Sequence, residues 1–256
     1  MRVRACVLAL AALLVLSHAP IAKAEADKEL HFKSEGPVPD GFVTLQPGST
    51  LPSAADCAAR VKRSNWEPRP QNEAANQTRG SRGVNIDGAD ASFNRKYAGR
   101  IDGDFVGTTD EILQWGACKW GFDEDLTRAR AVQESYWKQS QLGDETDSAE
   151  ACSTIGKTAP CWQSYGILQV KGTVHEETFP RAEQSTAYNV DYALAWLRAC
   201  YEGAFAHWMD AGYRRGDEWG CVGAWYSGRW YDSGAKRYIA GVKEHLEKRE
   251  WTRSDF

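Results

Sequence analysis

Six cysteines spread over the middle and late parts of the chain constrain its fold more than any other feature of the sequence. They are Cys57, Cys118, Cys152, Cys161, Cys200 and Cys221. An even number of cysteines in an exported chain indicates disulfides, and six cysteines allow fifteen pairings among which the sequence does not choose. One of these bonds, Cys152–Cys161, would close a short local loop. Another, Cys200–Cys221, would join two late helices.

The N-terminal residues predict export. The basic stretch MRVR precedes the apolar run ACVLALAALLVLS, which is too short to span a bilayer comfortably. Residues 22–24 read AKA, the small-residue pattern of a signal-peptide cleavage site. We therefore expect a signal peptide over residues 1–24 and a secreted or periplasmic mature protein without a membrane span. Cys6 lies at the start of the apolar run and not after it, unlike a lipid-attachment cysteine.

The composition argues against several classes of partner. The formal net charge is −4, whereas binding to nucleic-acid phosphates needs a basic surface. The five histidines are scattered without ligand spacing and there is no C-x-x-C motif, so we expect no metal. No glycine-rich phosphate loop follows a strand, and we expect no cofactor. Nothing in the sequence indicates an oligomer, so a monomer is expected.

Tryptophan is the unusual component, with 11 residues, all of them after residue 65. One interpretation is a tryptophan-rich core. The other is sugar stacking, because aromatic faces pack well on the apolar faces of pyranose rings. The sequence leaves both open.

The chain divides into an irregular part and a helical part. Residues 25–105 are rich in proline, glycine and polar residues and predict an N-terminal extension with too few apolar residues for its own core. Residues 106–256 carry helical periodicity and predict a mainly α domain. The stretch 138–163, acidic and with two cysteines, predicts a loop, and SYGILQV at 164–170 a short helix or turn. No run of alternating strands is evident.

Helix boundaries can be predicted from local capping chemistry. A helix should begin after Thr108 or Thr109 and end near Gly121. The next helix should start at Asp123, with a buried stripe that runs from Phe122 to Tyr136. Further along, Ser185 and Gly203 bracket the clearest helix of the chain, and two more helical stretches follow, EWGCVGAWYSGRW and RYIAGVKEHLEKREW.

Carboxylates are the remaining candidates for catalysis, because the sequence has no G-x-S-x-G motif and its cysteines are better explained by disulfides. Glycoside cleavage needs an acid whose pKa is raised by a partly apolar setting. Glu134, near a helix end and followed by Tyr136 and Trp137, meets this requirement. The alternative is a solvated surface pair with Arg130, four residues earlier on the same helix, because Glu134 points away from the apolar stripe.

Five short motifs in the second part of the chain follow the order found in one family of glycan-cleaving enzymes. They are ES at 134–135, YGILQV at 165–170, NVDYALAWL at 189–197, AWYSG at 224–228 and YIAGV at 238–242. Over roughly 110–250 the sequence resembles the soluble lytic transglycosylases and goose-type lysozymes, glycoside hydrolase family twenty-three. The corresponding family patterns are E-S, Y-G-x-M-Q, N-I-x-x-G-x-x-Y-L, A-Y-N-x-G and Y-V-x-x-V. No single motif is specific, but five in order within a helical domain are much more so.

The resemblance implies a lysozyme-like transglycosylase helical domain in which Glu134 is the catalytic residue. It implies substrate-binding roles for Ser135, Tyr165, Gly166, Leu168, Gln169, Asn189, Trp225 and Tyr226. By the resemblance, Gly166 lets the backbone approach the sugar, and Leu168 lines the floor of a subsite. Gln169 would project into the cleft, where it bonds the substrate or positions the acid. The alternative for Gln169 is a capped turn in which its amide bonds the neighbouring backbone.

Some residues depart from the family patterns. Leu168 stands where the family has methionine, Trp225 where it has tyrosine, and Tyr226 where it has asparagine. The family tyrosine stabilises the reacting centre or the catalytic glutamate. Either Tyr226 does this from a shifted register, or Trp225 only stacks on sugar.

The implied reaction is cleavage of the β-1,4 bond between N-acetylmuramic acid and N-acetylglucosamine in peptidoglycan. One glutamate protonates the leaving oxygen and then takes a proton from the sugar's 6-hydroxyl, which gives a 1,6-anhydro end. A lysozyme is the close alternative, and an inverting one needs a second carboxylate roughly 6.5–9.5 Å away. The candidates are Asp144, Glu145 and Asp147. A chitin-active enzyme, a non-catalytic glycan-binding domain and a purely structural secreted protein are the other interpretations.

Overall fold

The computed structural model describes residues 43–81 and 83–256, and it is mainly α-helical, as the sequence predicts. The predicted signal peptide lies outside the described residues. Among the residues described, no helix is both long and apolar enough to cross a lipid bilayer.

Short helices separated by irregular segments make up the described part of the N-terminal region. They are α1 (Ala54–Arg60), α2 (Glu73–Asn76) and α3 (Ala91–Tyr97), with 3-10 helices at Pro70–Asn72 and Ala98–Arg100. Apolar side chains of this region, such as Phe93 and Ile101, belong to the same hydrophobic core as the later helices. The region is therefore packed onto the helical part and shares its core.

Two longer helices follow, α4 (Thr109–Trp120) and α5 (Glu124–Ser135). Thr108 forms a capping box with Glu111 at the start of α4, and Gly121 ends that helix in the left-handed conformation. These boundaries agree with the prediction from the sequence.

The helix α5 begins as predicted but ends earlier. Asp123 accepts hydrogen bonds from the N–H groups of Asp125 and Leu126 and so caps the helix. Tyr136, predicted as part of the buried stripe, is left-handed and 42% exposed, and it terminates the helix. Glu134 therefore lies in the last turn of α5.

A small antiparallel sheet occupies much of the stretch that was predicted to be a loop, so that prediction is wrong. Strand β1 (Leu142–Thr146) pairs with β2 (Cys161–Tyr165), and β2 pairs with β3 (Val170–Lys171). A short helix, α6 (Ala149–Thr154), connects the first two strands. The strand β1 could not be predicted from the sequence because LGDET lacks the apolar alternation of a half-buried strand.

Four helices complete the described chain: α7 (Arg181–Gln184), α8 (Thr186–Glu202), α9 (Glu218–Ser227) and α10 (Ser233–Lys248), with 3-10 helices at Glu176–Thr178 and Glu250–Thr252. Ser185 caps α8 and Gly203 ends it, as predicted. Every residue of α8 from Thr186 to Tyr201 is buried, so this helix is covered on all sides and not along one stripe.

Three disulfides form, and both bonds that the sequence suggested are among them. Cys152–Cys161 joins α6 to the start of β2, and Cys200–Cys221 joins α8 to α9. The third bond, Cys57–Cys118, ties α1 to α4 across 61 residues. Three disulfides are typical of proteins that fold in an oxidising compartment.

The tryptophans divide between the core and the surface. Trp115, Trp120, Trp137, Trp196 and Trp251 are buried in the core. Trp66, Trp162 and Trp208 are each about 40% exposed, at 41%, 39% and 41%. A tryptophan-rich core therefore explains some of these residues, and the exposed ones remain available for stacking on a ligand.

Candidate active site

Glu134 lies half-buried where α5 meets α10. Its carboxylate accepts a hydrogen bond from the Tyr238 hydroxyl at 2.5 Å. The two helices approach closely because Gly241, one turn after Tyr238, has no side chain, and a Cβ there would collide with the Gln133 amide. The sequence prediction of Glu134 as an acid in a partly apolar setting thus agrees with its surroundings.

The environment of Glu134 is that of a group that can exchange a proton near neutral pH. Burial raises the pKa of its carboxyl to about 7. The hydroxyl of Tyr238, the charge of Arg130 and the indole N–H of Trp225 oppose this rise, in that order of size. A nearby negative charge, that of Asp144, adds to it. Burial and the Glu134 carboxylate hold the pKa of Tyr238 well above 10, so its phenol stays protonated and donates.

Asp144 is the predicted second carboxylate that the structure brings near Glu134. It lies on β1 in the left-handed conformation, with a φ of 57°. Its carboxylate accepts a hydrogen bond from the Ser164 hydroxyl at 2.8 Å and pairs with Lys171 at 3.4 Å. Glu145 and Asp147 are exposed on the same hairpin.

The two aromatic residues of AWYSG have different surroundings. Trp225 donates its indole N–H to the Leu168 carbonyl at 3.2 Å and stacks on His175 with ring centres 5.9 Å apart. Tyr226 is 60% exposed and stacks on the Tyr238 ring at 5.2 Å, with an interplanar angle of 11°. The tyrosine that bonds Glu134 is therefore Tyr238, on another helix, and Tyr226 supports its ring.

The turn after β2 is held from within the protein. Gly166 has a φ of +80°, and a Cβ there would collide with the amide groups of Asn189 and Gln139. The buried Asn189 accepts from the Leu168 N–H at 2.9 Å and donates to the carbonyls of Tyr165 and Ala182. The protein's own side chains thus account for glycine at 166, where the resemblance implied the close approach of a sugar.

Several predicted substrate-binding residues face the interior. Asn189, Tyr165 and Leu168 have no exposed surface, so Leu168 does not line an open subsite floor. The Ser135 hydroxyl donates to the Ile167 carbonyl at 2.9 Å and ties α5 to the turn. They hold the turn against α5 and α8 from inside the protein.

Gln169 follows the alternative interpretation. Its amide donates to the carbonyls of Gly166 at 2.8 Å and Gln141 at 3.1 Å, so it closes the turn onto neighbouring backbone. Its φ of 48° is left-handed. These hydrogen bonds favour the capped turn over the projection into a cleft that the resemblance implied.

The sequence did not single out the residues that fix the segment after Glu134. Asn72, fully buried, donates to the Trp137 carbonyl at 2.7 Å and accepts from the Gln139 N–H at 2.9 Å. Gln139 in turn accepts from the Ile167 N–H at 3.0 Å. These contacts are long-range, and no local pattern in the sequence points to them.

The alternative of a solvated surface pair between Glu134 and Arg130 does not fit the structure. Arg130 is completely buried, whereas a solvated surface pair with Glu134 would leave it exposed. Its guanidinium carbon lies 5.7 Å from the centre of the Trp225 ring.

No group of three or more histidine, cysteine, aspartate or glutamate side chains within the described residues is arranged to hold a metal ion. No family model matches this chain, and no curated protein or solved structure matches it either. The chemistry of the site therefore rests on its own residues and their geometry.

Proposed function

We propose that this protein is a secreted glycan-cleaving enzyme with a lysozyme-like helical domain, a peptidoglycan lytic transglycosylase with Glu134 as its acid and base. The observation that carries the proposal is the half-buried carboxyl at the end of α5, bonded to Tyr238, with a pKa of about 7. A general acid is most effective when its pKa lies near the working pH. The five ordered sequence motifs support the choice of substrate.

One carboxyl is sufficient for this reaction. Protonated Glu134 donates its proton to the glycosidic oxygen, and the bond from that oxygen to the anomeric carbon breaks. The acetamido group of the same sugar stabilises the cationic centre that forms. The Glu134 carboxylate then removes the proton of the 6-hydroxyl, whose oxygen closes on the anomeric carbon. Tyr238 holds the carboxylate in place through both steps by its hydrogen bond.

A lysozyme-type hydrolase is the second candidate, and Asp144 favours it. In that reaction a second carboxylate activates water on the opposite face of the sugar. Asp144 is held by Ser164 and Lys171 and is near enough for its charge to raise the pKa of Glu134. Chitin offers the same chemistry at the scissile bond and is a further possible substrate for either reaction.

Mass analysis of sugar products separates these candidates. Purified peptidoglycan is incubated with the mature protein and with Glu134→Gln, which keeps the shape of the side chain but has no proton to transfer. Anhydro ends from the wild type alone support a transglycosylase. Reducing ends from the wild type alone support a hydrolase, and Asp144→Asn should then abolish them. Equal products from both proteins would refute the role of Glu134, and no product from either would refute cleavage of peptidoglycan.

A further inference from the structure

One buried cation near the candidate acid, Arg130, has no hydrogen-bonded carboxylate partner among the described residues. Arg130 has no exposed surface, and none of its three guanidinium nitrogens makes a hydrogen bond of regular geometry in the part of the chain that the structure describes, although the Tyr238 hydroxyl lies close enough to interact with it. Buried arginine is almost always paired, because an unpaired buried charge is strongly unfavourable. Another buried arginine of α5, Arg128, shows the usual arrangement, with ion pairs to Asp110, Glu124 and Asp125. Arg130 therefore needs another explanation.

Its position gives one. Arg130 precedes Glu134 by four residues on α5, so the two side chains lie one turn apart on the same face of the helix. On the facing side, α9 presents the Trp225 ring at 5.7 Å and, two turns earlier on that helix, Glu218. From α10 the Tyr238 hydroxyl completes the surroundings and bonds Glu134.

We propose that Arg130 is a positioning residue that serves as the internal counter-ion of Glu134 and sets the pH range in which Glu134 keeps its proton. The positive charge favours the ionised carboxylate, and burial among aromatic rings shields that attraction from solvent. The proposal deepens the proposed function and rests on it for the activity measurements alone.

Other groups also act on these two residues. Glu134 faces Tyr238 on α10, the indole of Trp225 on α9 and Asp144 on β1. Arg130 also acts on Glu218, whose carboxylate accepts from the Thr44 hydroxyl at 2.7 Å, and on Tyr238. Tyr238, Trp225 and Arg130 favour ionisation of Glu134, and of these three Arg130 alone carries a full positive charge.

The test compares Arg130→Met, which removes the charge but retains most of the side-chain length, with Arg130→Lys, which retains the charge. Arg130→Gln is the second charge-removing variant in case the methionine variant does not fold. Arg237→Met is the matched control, because Arg237 is exposed on α10 beside Tyr238 in sequence. Circular dichroism checks that each variant is folded.

Two readouts are measured. One is the carboxyl ¹³C shift of Glu134 against pH, assigned as the signal missing from Glu134→Gln. The other is kcat/KM against pH on purified peptidoglycan. The loss of charge in Arg130→Met should move both midpoints upward by up to about one pH unit, no more than the loss of the Tyr238 hydroxyl, while Arg130→Lys moves them less and Arg237→Met leaves them unchanged.

A folded Arg130→Met or Arg130→Gln protein whose Glu134 titrates as in the wild type would overturn the proposal. So would a shift of equal size in Arg130→Lys, because that outcome would assign the effect to shape and not to charge. If the carboxyl signal moves as expected but the wild type cleaves no glycan, the counter-ion is supported and the proposed function fails. The two claims are therefore tested separately.

Discussion

Removal of the Tyr238 hydroxyl by Tyr238→Phe should move the titration of Glu134 upward. This hydroxyl donates to the carboxylate at 2.5 Å and is the largest influence that favours the ionised form. A hydrogen bond to a charged group contributes about 1.5–3 kcal/mol, and one pKa unit corresponds to about 1.4 kcal/mol. Because Glu134 is only half-buried and water can replace part of the lost bond, we expect a rise of about one unit.

The sign of the effect on activity follows from the role of the acid. In the proposed reaction the free enzyme must hold Glu134 protonated, so kcat/KM should fall as pH rises through about 7 in the wild type. In Tyr238→Phe this alkaline limb should move upward by about one unit, by the estimate above. The assay is the rate of product release from purified peptidoglycan across that pH range, together with the Glu134 carboxyl signal.

The matched control is Tyr226→Phe, whose ring stacks on Tyr238 while its side chain is largely exposed. It should leave the alkaline limb in place. An unchanged limb in a folded Tyr238→Phe protein, or an equal shift in Tyr226→Phe, would refute the assignment of this hydrogen bond to the acid.

Two further predictions concern stability, both measured by urea denaturation. Burial raises the pKa of Glu218 from 4.5 to about 8, so between these pH values the folded chain holds a proton that the unfolded chain releases. The contribution of this proton to the free energy of unfolding is fully present below pH 4.5 and is lost as pH rises through about 8. Glu218→Gln should remove up to about 1.4 kcal/mol per pH unit from the slope in that window, and an unchanged slope would contradict the burial of this carboxyl. Asn189→Ala leaves the Leu168 N–H and the carbonyls of Tyr165 and Ala182 without partners, and we expect a loss of at least about 2 kcal/mol. Asn65→Ala, at an exposed position, should lose almost nothing, and equal losses in the two variants would show that Asn189 does not hold the turn.

Local chemistry explains what the sequence predicts well. A hydroxyl or carboxylate before a helix, or a glycine after it, acts on backbone groups a few residues away, so Thr108, Asp123 and Gly203 could be assigned without tertiary information. The same holds for Cys152 and Cys161, which lie close enough along the chain for a local loop. The partly apolar setting of Glu134 was predicted from its aromatic neighbours in sequence, whereas its catalytic role was implied by the resemblance and stays a proposal.

What the sequence could not predict depends on long-range packing. Helical periodicity identifies the polar face of α5 but does not reveal that α9 and α10 cover it, so a surface position of Arg130 remained open as an alternative. The motif that contains Tyr238 was recognised, yet its contact with Glu134, 104 residues away, exists only in the folded chain. Asn189 was assigned to the substrate because a buried asparagine and a ligand-binding one look alike in sequence.

Comparison of binding with turnover in Glu134→Gln tests the central claim most directly. Purified peptidoglycan is mixed with the wild type and with the variant, and both the sedimented protein and the soluble sugar products are quantified. The account predicts that both proteins sediment equally with the polymer and that the wild type alone releases products. Equal release by the two proteins, or binding without release by either, would contradict the claim that Glu134 is the acid of a glycan-cleaving enzyme.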